Sequence, residues 1–149
     1  MALTSADQII TDTGLPADIK TRLASYIGPA EKQMRRLITD AVYDDYSARP
    51  ADDPDRVRAV QCESFLTCFY AFPFLNLRPT TKGGFVKATG FDQNRNELMS
   101  KYELDRYRHE YYKRALALIE DEIDNALGDE PVEIPGAGFS FSAVEDEDE

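Results

Sequence analysis

The sequence predicts an all-α fold: a small helical bundle with a short loop or hairpin insertion, followed by an extended C-terminal arm. Three observations carry this. Apolar residues recur at helical spacing over most of positions 5–75 and 100–127. Glycine, threonine and proline gather between Asn76 and Asp92 and interrupt that pattern. After Gly128 the apolar residues alternate with a period of two, and the chain closes on five consecutive acids, Glu145 to Glu149. The division falls at Gly128, with residues 1–128 a helical domain and 129–149 an arm with an acidic end.

The first helix is announced by a capping-box pair, Ser5 and Gln8, and ends at Gly14. Pro16 suits the first turn of a second helix, which carries Ile19, Leu23 and Ile27 one turn apart. Gly28-Pro29 reads as a break or kink, with Pro29 opening a third helix to about Tyr46. Its apolar face is Met34, Leu37, Ile38, Ala41 and Val42, and its opposite face carries Lys32, Arg35, Arg36, Asp40 and Asp44. Ser47 to Asp53 is a loop. Asp53-Pro54 is an N-cap with proline at the first helical position, and the helix it opens runs to about Phe72. Val57, Val60, Ser64, Cys68 and Ala71 line one face, flanked by Phe65, Phe69 and Phe72. Its second half is apolar nearly all round, which assigns it to the centre of the core. Pro73 ends or disrupts it.

The stretch Gly83 to Phe91 reads as a short hairpin or an irregular loop. Ser100 and Glu103 form a second capping box. Leu104, Tyr107, Tyr111, Ala115, Leu118, Ile119, Ile123 and Leu127 then follow the helical repeat to a stop at Gly128, a single helix of roughly 40 Å. In the arm, Val132 and Ile134 alternate, as do Phe139 and Phe141, with Val144 before the acids. So short a segment does not bury two phenylalanines on itself. Either they fold back on the helices, or they dock on a partner, as the Gly136-Ala137-Gly138 hinges beside apolar anchors suggest.

Composition narrows the function classes. The net charge is −11, and without the five terminal acids 17 basic residues still face 23 acidic ones. Such a surface argues against tight nucleic-acid binding, which draws its affinity from basic groups on phosphates. No apolar run approaches the roughly 20 residues that span a bilayer, and no secretory signal is expected from Met1 to Ala6. Cys62 and Cys68 are six apart on one helix, about 9 Å along its axis, too far for a disulfide. They read as buried reduced thiols of a chain that folds in an intracellular compartment.

Chemistry-bearing constellations are sparse. The single histidine, His109, begins no HExxH motif because Lys113 stands where the second histidine belongs. Lys82-Gly83-Gly84 lacks the order of a phosphate loop. Asp52, Asp53 and Asp55 lack the spacing of a calcium loop and suit a helix N-terminus. No catalytic, cofactor or metal site is read from these residues. Tyr102, Tyr107, Tyr111 and Tyr112 serve either as a core stripe or as an interface. The basic residues around them have local acids: Glu103 before Arg106, and Glu110 before Lys113 and Arg114.

The order of elements over about residues 4–128 resembles the head–tail connector (adaptor) proteins of tailed bacteriophages. The likeness rests on the amphipathic early helices followed by Asp53-Pro54-Asp55-Arg56-Val57-Arg58-Ala59-Val60 and the aromatic helix through Phe72. It continues in Gly83-Gly84-Phe85, Gly90-Phe91 and the long helix from Ser100. The resemblance implies a structural virion protein at the neck, assembled in the host cytoplasm, with no enzymatic role and no cofactor. It implies a dodecameric ring between a portal protein and a stopper or tail-completion protein. DNA would pass through the lumen without specific binding, and no membrane is involved. The arm, with Val132, Ile134, Phe139, Phe141 and Val144, would map onto the segment that reaches the portal. A different class remains open: a small acidic regulator that binds and inhibits a single host protein through the same tail.

Overall fold

The computed structural model describes residues 2–75, 77–79, 85–87 and 101–128. Helix α1 (Ala6–Thr13) starts where Ser5 Oγ accepts the Gln8 N–H at 3.2 Å. Only half of the expected capping box forms, because the Gln8 amide turns to Asp12 Oδ1 at 2.9 Å. Gly14 closes the helix in the left-handed region, φ 73°. Pro16 stands just outside a 3₁₀ turn (Ala17–Ile19) that leads into the short α2 (Lys20–Ala24).

The first expected break falls elsewhere. Gly28-Pro29 lies inside α3 (Ile27–Ile38), in its first turn, where a backbone N–H has no partner within the helix and proline costs little. The chain turns instead at Ser25–Tyr26, so Ile27 belongs to α3.

The helix expected from Pro29 to Tyr46 is two helices, α3 and α4 (Asp40–Ala48), broken at Thr39. The reason is geometric. At about 100° per residue, Tyr43 on a straight helix would point directly away from Met34. The structure buries both fully, together with Leu37, Ile38 and Tyr46, and leaves Ala41 exposed and Val42 half-buried. Thr39 absorbs the change of face with φ 79° and ψ 155°, a region that in practice belongs to glycine.

Helix α5 (Pro54–Ala71) begins as expected, with Asp53 Oδ2 accepting the Arg56 N–H at 3.0 Å. It packs against α1, α2, α3, α4 and α6 (Lys101–Leu118), and is the centre of the core. Ser64, Cys68 and Ala71 are buried as expected, but Val60 is half-buried and Val57 exposed, because both line a surface cleft. After a 3₁₀ turn at Phe72–Phe74, the insertion forms an antiparallel hairpin of β1 (Leu77–Pro79) and β2 (Phe85–Lys87), with Arg78 opposite Val86. Its first strand thus precedes the glycine pair, and residues 88–91 lie outside the described residues.

The long terminal helix is also two, α6 and α7 (Glu120–Leu127), broken at Ile119. The apolar stripe survives the break, with Tyr111, Ala115, Ile119 and Ile123 buried. Gly128 ends α7 with φ 64°. Ring contacts hold α6 on α5: Tyr112 lies 4.9 Å from Phe69, and Tyr111 and Tyr107 lie 5.5 and 5.9 Å from Phe72. The chain is therefore a small all-α bundle with a short hairpin, as its sequence predicts.

Candidate interaction surface

Two polar clusters tie the elements of the bundle together, one buried and one at its edge. The first surrounds Glu63, which α5 holds completely buried. Its Oε1 accepts the Thr4 backbone N–H at 2.8 Å, and its Oε2 accepts the Tyr43 hydroxyl in a short contact. The same hydroxyl accepts the Leu3 N–H at 3.0 Å. Thr4 Oγ1 and Ser64 Oγ are 2.8 Å apart, and Ser64 Oγ donates to Asp12 Oδ2 at 2.9 Å. The segment before α1 is thereby strapped across α5 and α4. Burial raises the Glu63 carboxyl above its ordinary value against the pull of its two donors, and burial followed by Glu63 raises the Tyr43 hydroxyl.

The second cluster clamps the break between α6 and α7. Arg58 Nη1 donates to the Leu118 carbonyl at 2.8 Å, a carbonyl the broken helix leaves open. Its Nη2 pairs with Asp55 and lies 3.6 Å from Glu122 Oε2. The Tyr46 hydroxyl donates to that same oxygen at 2.5 Å. Arg49 gathers Asp45, Asp53 and Asp55 at 2.7, 3.2 and 2.9 Å, so the acids before α5 serve its N-terminus and an arginine fork. Arg35 does the same across the α3–α4 break, pairing with Glu31, Asp40 and Asp44 at 3.0, 2.9 and 3.1 Å over the Tyr43 ring. The α3–α4 and α6–α7 breaks are thus each tied by an arginine.

Against this frame two clefts open. One, of about 230 Å³, lies between the strap, α1 and the start of α5, over Leu3, Val57 and Val60 with Gln8, Asp12 and Gln61 on its rim. The other, of about 160 Å³, lies between the end of α1, the hairpin and α6. Its walls are the rings of Phe85, Tyr107 and Tyr111, and Glu110 and Arg114 stand at its mouth. Phe85 meets Tyr107 edge-on at 5.0 Å, and the Arg106 guanidinium lies 5.1 Å over the Tyr107 ring. The local ion pair expected between Glu110 and Arg114 is not among the described ones, and both side chains edge the cleft. Two aromatics are largely exposed at the hairpin end: Phe74 at 58%, stacked on Tyr26 at 5.7 Å, and Tyr102 at 77%.

The tyrosines of α6 divide accordingly. Tyr111 and Tyr112 are core, Tyr107 is half-buried on the aromatic cleft, and Tyr102 faces outward. Val132, Ile134, Phe139, Phe141 and Val144 lie outside the described residues, as do Lys82 to Gly84. Both cysteines are unpaired and buried, and burial pushes the Cys68 thiol up to about 12 and the Cys62 thiol well above its ordinary value. His109 is half-buried on α6. Among the described residues no group of three His, Cys, Asp or Glu is placed to hold a metal, and no helix is long and apolar enough to cross a membrane. Sequence reasoning missed Glu63 and Glu122. A glutamate on a helix carries no local sign that it is buried, and the partners that hold them lie 59 and 76 residues away. Set against known protein families, curated proteins and solved structures, the chain matches none of them.

Proposed function

We propose that the chain is a head–tail adaptor: a structural virion protein whose copies form a ring, of about twelve by its resemblance, between a portal and a stopper or tail-completion protein. One observation carries the reading. A helical body, cross-braced by arginines at its α3–α4 and α6–α7 breaks, is followed by an appended segment of 21 residues with paired aromatics and an acidic end. A rigid body suits stacking side by side, and an appended apolar arm suits reaching a neighbouring molecule. The resemblance behind the reading lies in the sequence order of amphipathic early helices, an aromatic central helix, an insertion and a terminal helical stretch. The excess of acids suits a lumen through which DNA slides, since like charges repel.

The test is electron microscopy of the purified full chain, alone and mixed with portal rings encoded in the same genome. Rings, or an added ring-shaped layer on the portal, are expected, and truncation after Gly128 should abolish the layer. A chain that stays monomeric by sedimentation at all concentrations and adds nothing to portal rings refutes the proposal. A one-to-one complex with a single host protein would favour a regulatory role instead.

A further inference from the structure

The aromatic cleft between the end of α1, the hairpin and α6 has walls that call for an aromatic occupant and a mouth that calls for acids. At about 160 Å³ it has room for one benzene ring, since a cavity of roughly 150 Å³ holds benzene. Phe85, Tyr107 and Tyr111 offer ring edges and faces for offset or edge-on contact. Arg114, exposed at the mouth, makes no ion pair among the described residues, and Arg106 flanks the other side over Tyr107. From Arg106 to Arg114 the helix carries four cations and a single acid, Glu110, in a chain whose net charge is −11.

The chain itself contains a segment of matching chemistry. Phe139-Ser140-Phe141-Ser142-Ala143-Val144 is neutral, and Glu145 to Glu149 follow at once. With a phenyl ring from Phe141 in the cleft, the acids begin four residues on, about 13 Å along an extended chain, within reach of Arg114 or Arg106. Glu110 at the mouth disfavours acids over the cleft itself, where the neutral stretch lies. Reach is not limiting. Phe139 stands eleven residues beyond Gly128, up to roughly 36 Å extended. The path from Leu127 back to Tyr111 is at most about 24 Å along the helices, and the break at Ile119 shortens it.

We propose that in the unassembled subunit the C-terminal arm docks on its own chain, with the Phe139–Phe141 segment in the Phe85–Tyr107–Tyr111 cleft and the acidic run on Arg114. An arm tethered at Gly128 meets its own cleft at an effective concentration in the millimolar range, ahead of a neighbour's. Docking keeps the Phe141 ring out of water until a partner takes the arm. That release on assembly rests on the adaptor reading, whereas the docking rests on the cleft and the arm alone.

The experiment places the photoreactive single-ring aromatic p-azidophenylalanine at position 141 of the full chain, mixes isotope-labelled and unlabelled protein at equal concentration, irradiates, and maps cross-links by mass spectrometry. Same-isotope cross-links to residues 85–87 or 107–114 are expected. Arg114→Glu, at an exposed position that leaves the core intact, should lower their yield about fivefold, as for the loss of one surface ion pair. Adding Glu145→Lys and Asp146→Lys to that variant should restore it. Mixed-isotope cross-links, which mark docking on another copy, overturn the proposal. So do cross-links elsewhere on the chain, or a yield indifferent to Arg114→Glu. Ring formation on portals is read separately, so an intact cross-link without rings sinks only the adaptor reading, and rings without the cross-link sink only the docking.

Discussion

Replacing Glu63 by alanine separates a carboxylate that holds the N-terminal strap from one that merely lies beneath it. The substitution leaves the Thr4 N–H and the Tyr43 O–H without an acceptor in a site closed to water. Each orphaned buried donor costs about 1–3 kcal/mol. Against that stands the relief of no longer burying a carboxylate that has no cation in hydrogen-bond contact. A net loss of about 2–4 kcal/mol is expected, a large share of the roughly 5–15 kcal/mol that holds a domain of this size. Urea denaturation at neutral pH should show the midpoint falling by about 1–2 M with an unchanged slope. Hydrogen exchange at Leu3 and Thr4 should accelerate beyond the change in global stability. A midpoint within about 0.3 M of the parent, or amides at Leu3 and Thr4 that already exchange freely in the parent, would refute the strap. The effect also has a sign in pH. Burial raises the Glu63 carboxyl above 4.5, so the folded chain holds a proton that the unfolded chain has released. This contribution is fully present below the unfolded value and is lost as pH rises through the folded one. Asp55 works the other way, since Arg58 and then Arg49 hold it below 3.8, and its share is lost as pH falls through the folded value. The stability difference between the parent and Glu63→Gln cancels Asp55 and should shift toward the parent as pH is lowered toward 4.5.

Thr39→Gly should raise the melting temperature by a few degrees. Relief of about 1–3 kcal/mol of backbone strain outweighs the 0.5–1 kcal/mol of added chain entropy and a weak cap to Val42, and an unchanged or lower value by calorimetry removes the strain argument. Arg58→Ala should cost about 1–3 kcal/mol by uncapping the Leu118 carbonyl and stripping Glu122 of its cation. Its effect should be coupled to that of Glu122→Gln by more than about 0.5 kcal/mol in a double-mutant cycle, and additivity would sever the clamp. Cys62 and Cys68 should react with a thiol reagent at pH 8 only as fast as the protein unfolds, because both are buried and held protonated. Rapid labelling of the native chain would contradict that burial.

How far the fold could be read ahead of the structure depended on where its causes lie along the chain. Ser5 and Asp53-Pro54 start helices through contacts within three residues, and Gly14 and Gly128 stop them through their own φ, so all four were legible. The breaks at Thr39 and Ile119 were not, for neither carries glycine or proline. They follow from distant partners: Tyr43 turns inward to meet Glu63, and Tyr46 to meet Glu122. The aromatic cleft was half legible. Tyr107 and Tyr111 stood out as a stripe, but the third wall, Phe85, comes from a strand whose pairing with Leu77–Pro79 no local signal announced.

The placement of charge inside the bundle bears on why a chain of this composition folds at all. With a net charge of −11, self-repulsion works against a compact state. The acids that are drawn inward, Glu63 and Glu122, are fixed by tyrosine hydroxyls rather than left to water. Those on the surface around the breaks are gathered in threes by Arg35 and Arg49. An arginine that meets three carboxylates neutralises only one of them, so the clusters stay net acidic while their geometry is held. A body built this way keeps its negative field while its elements stay tied, the combination that the proposed ring around a passing polyanion would call for.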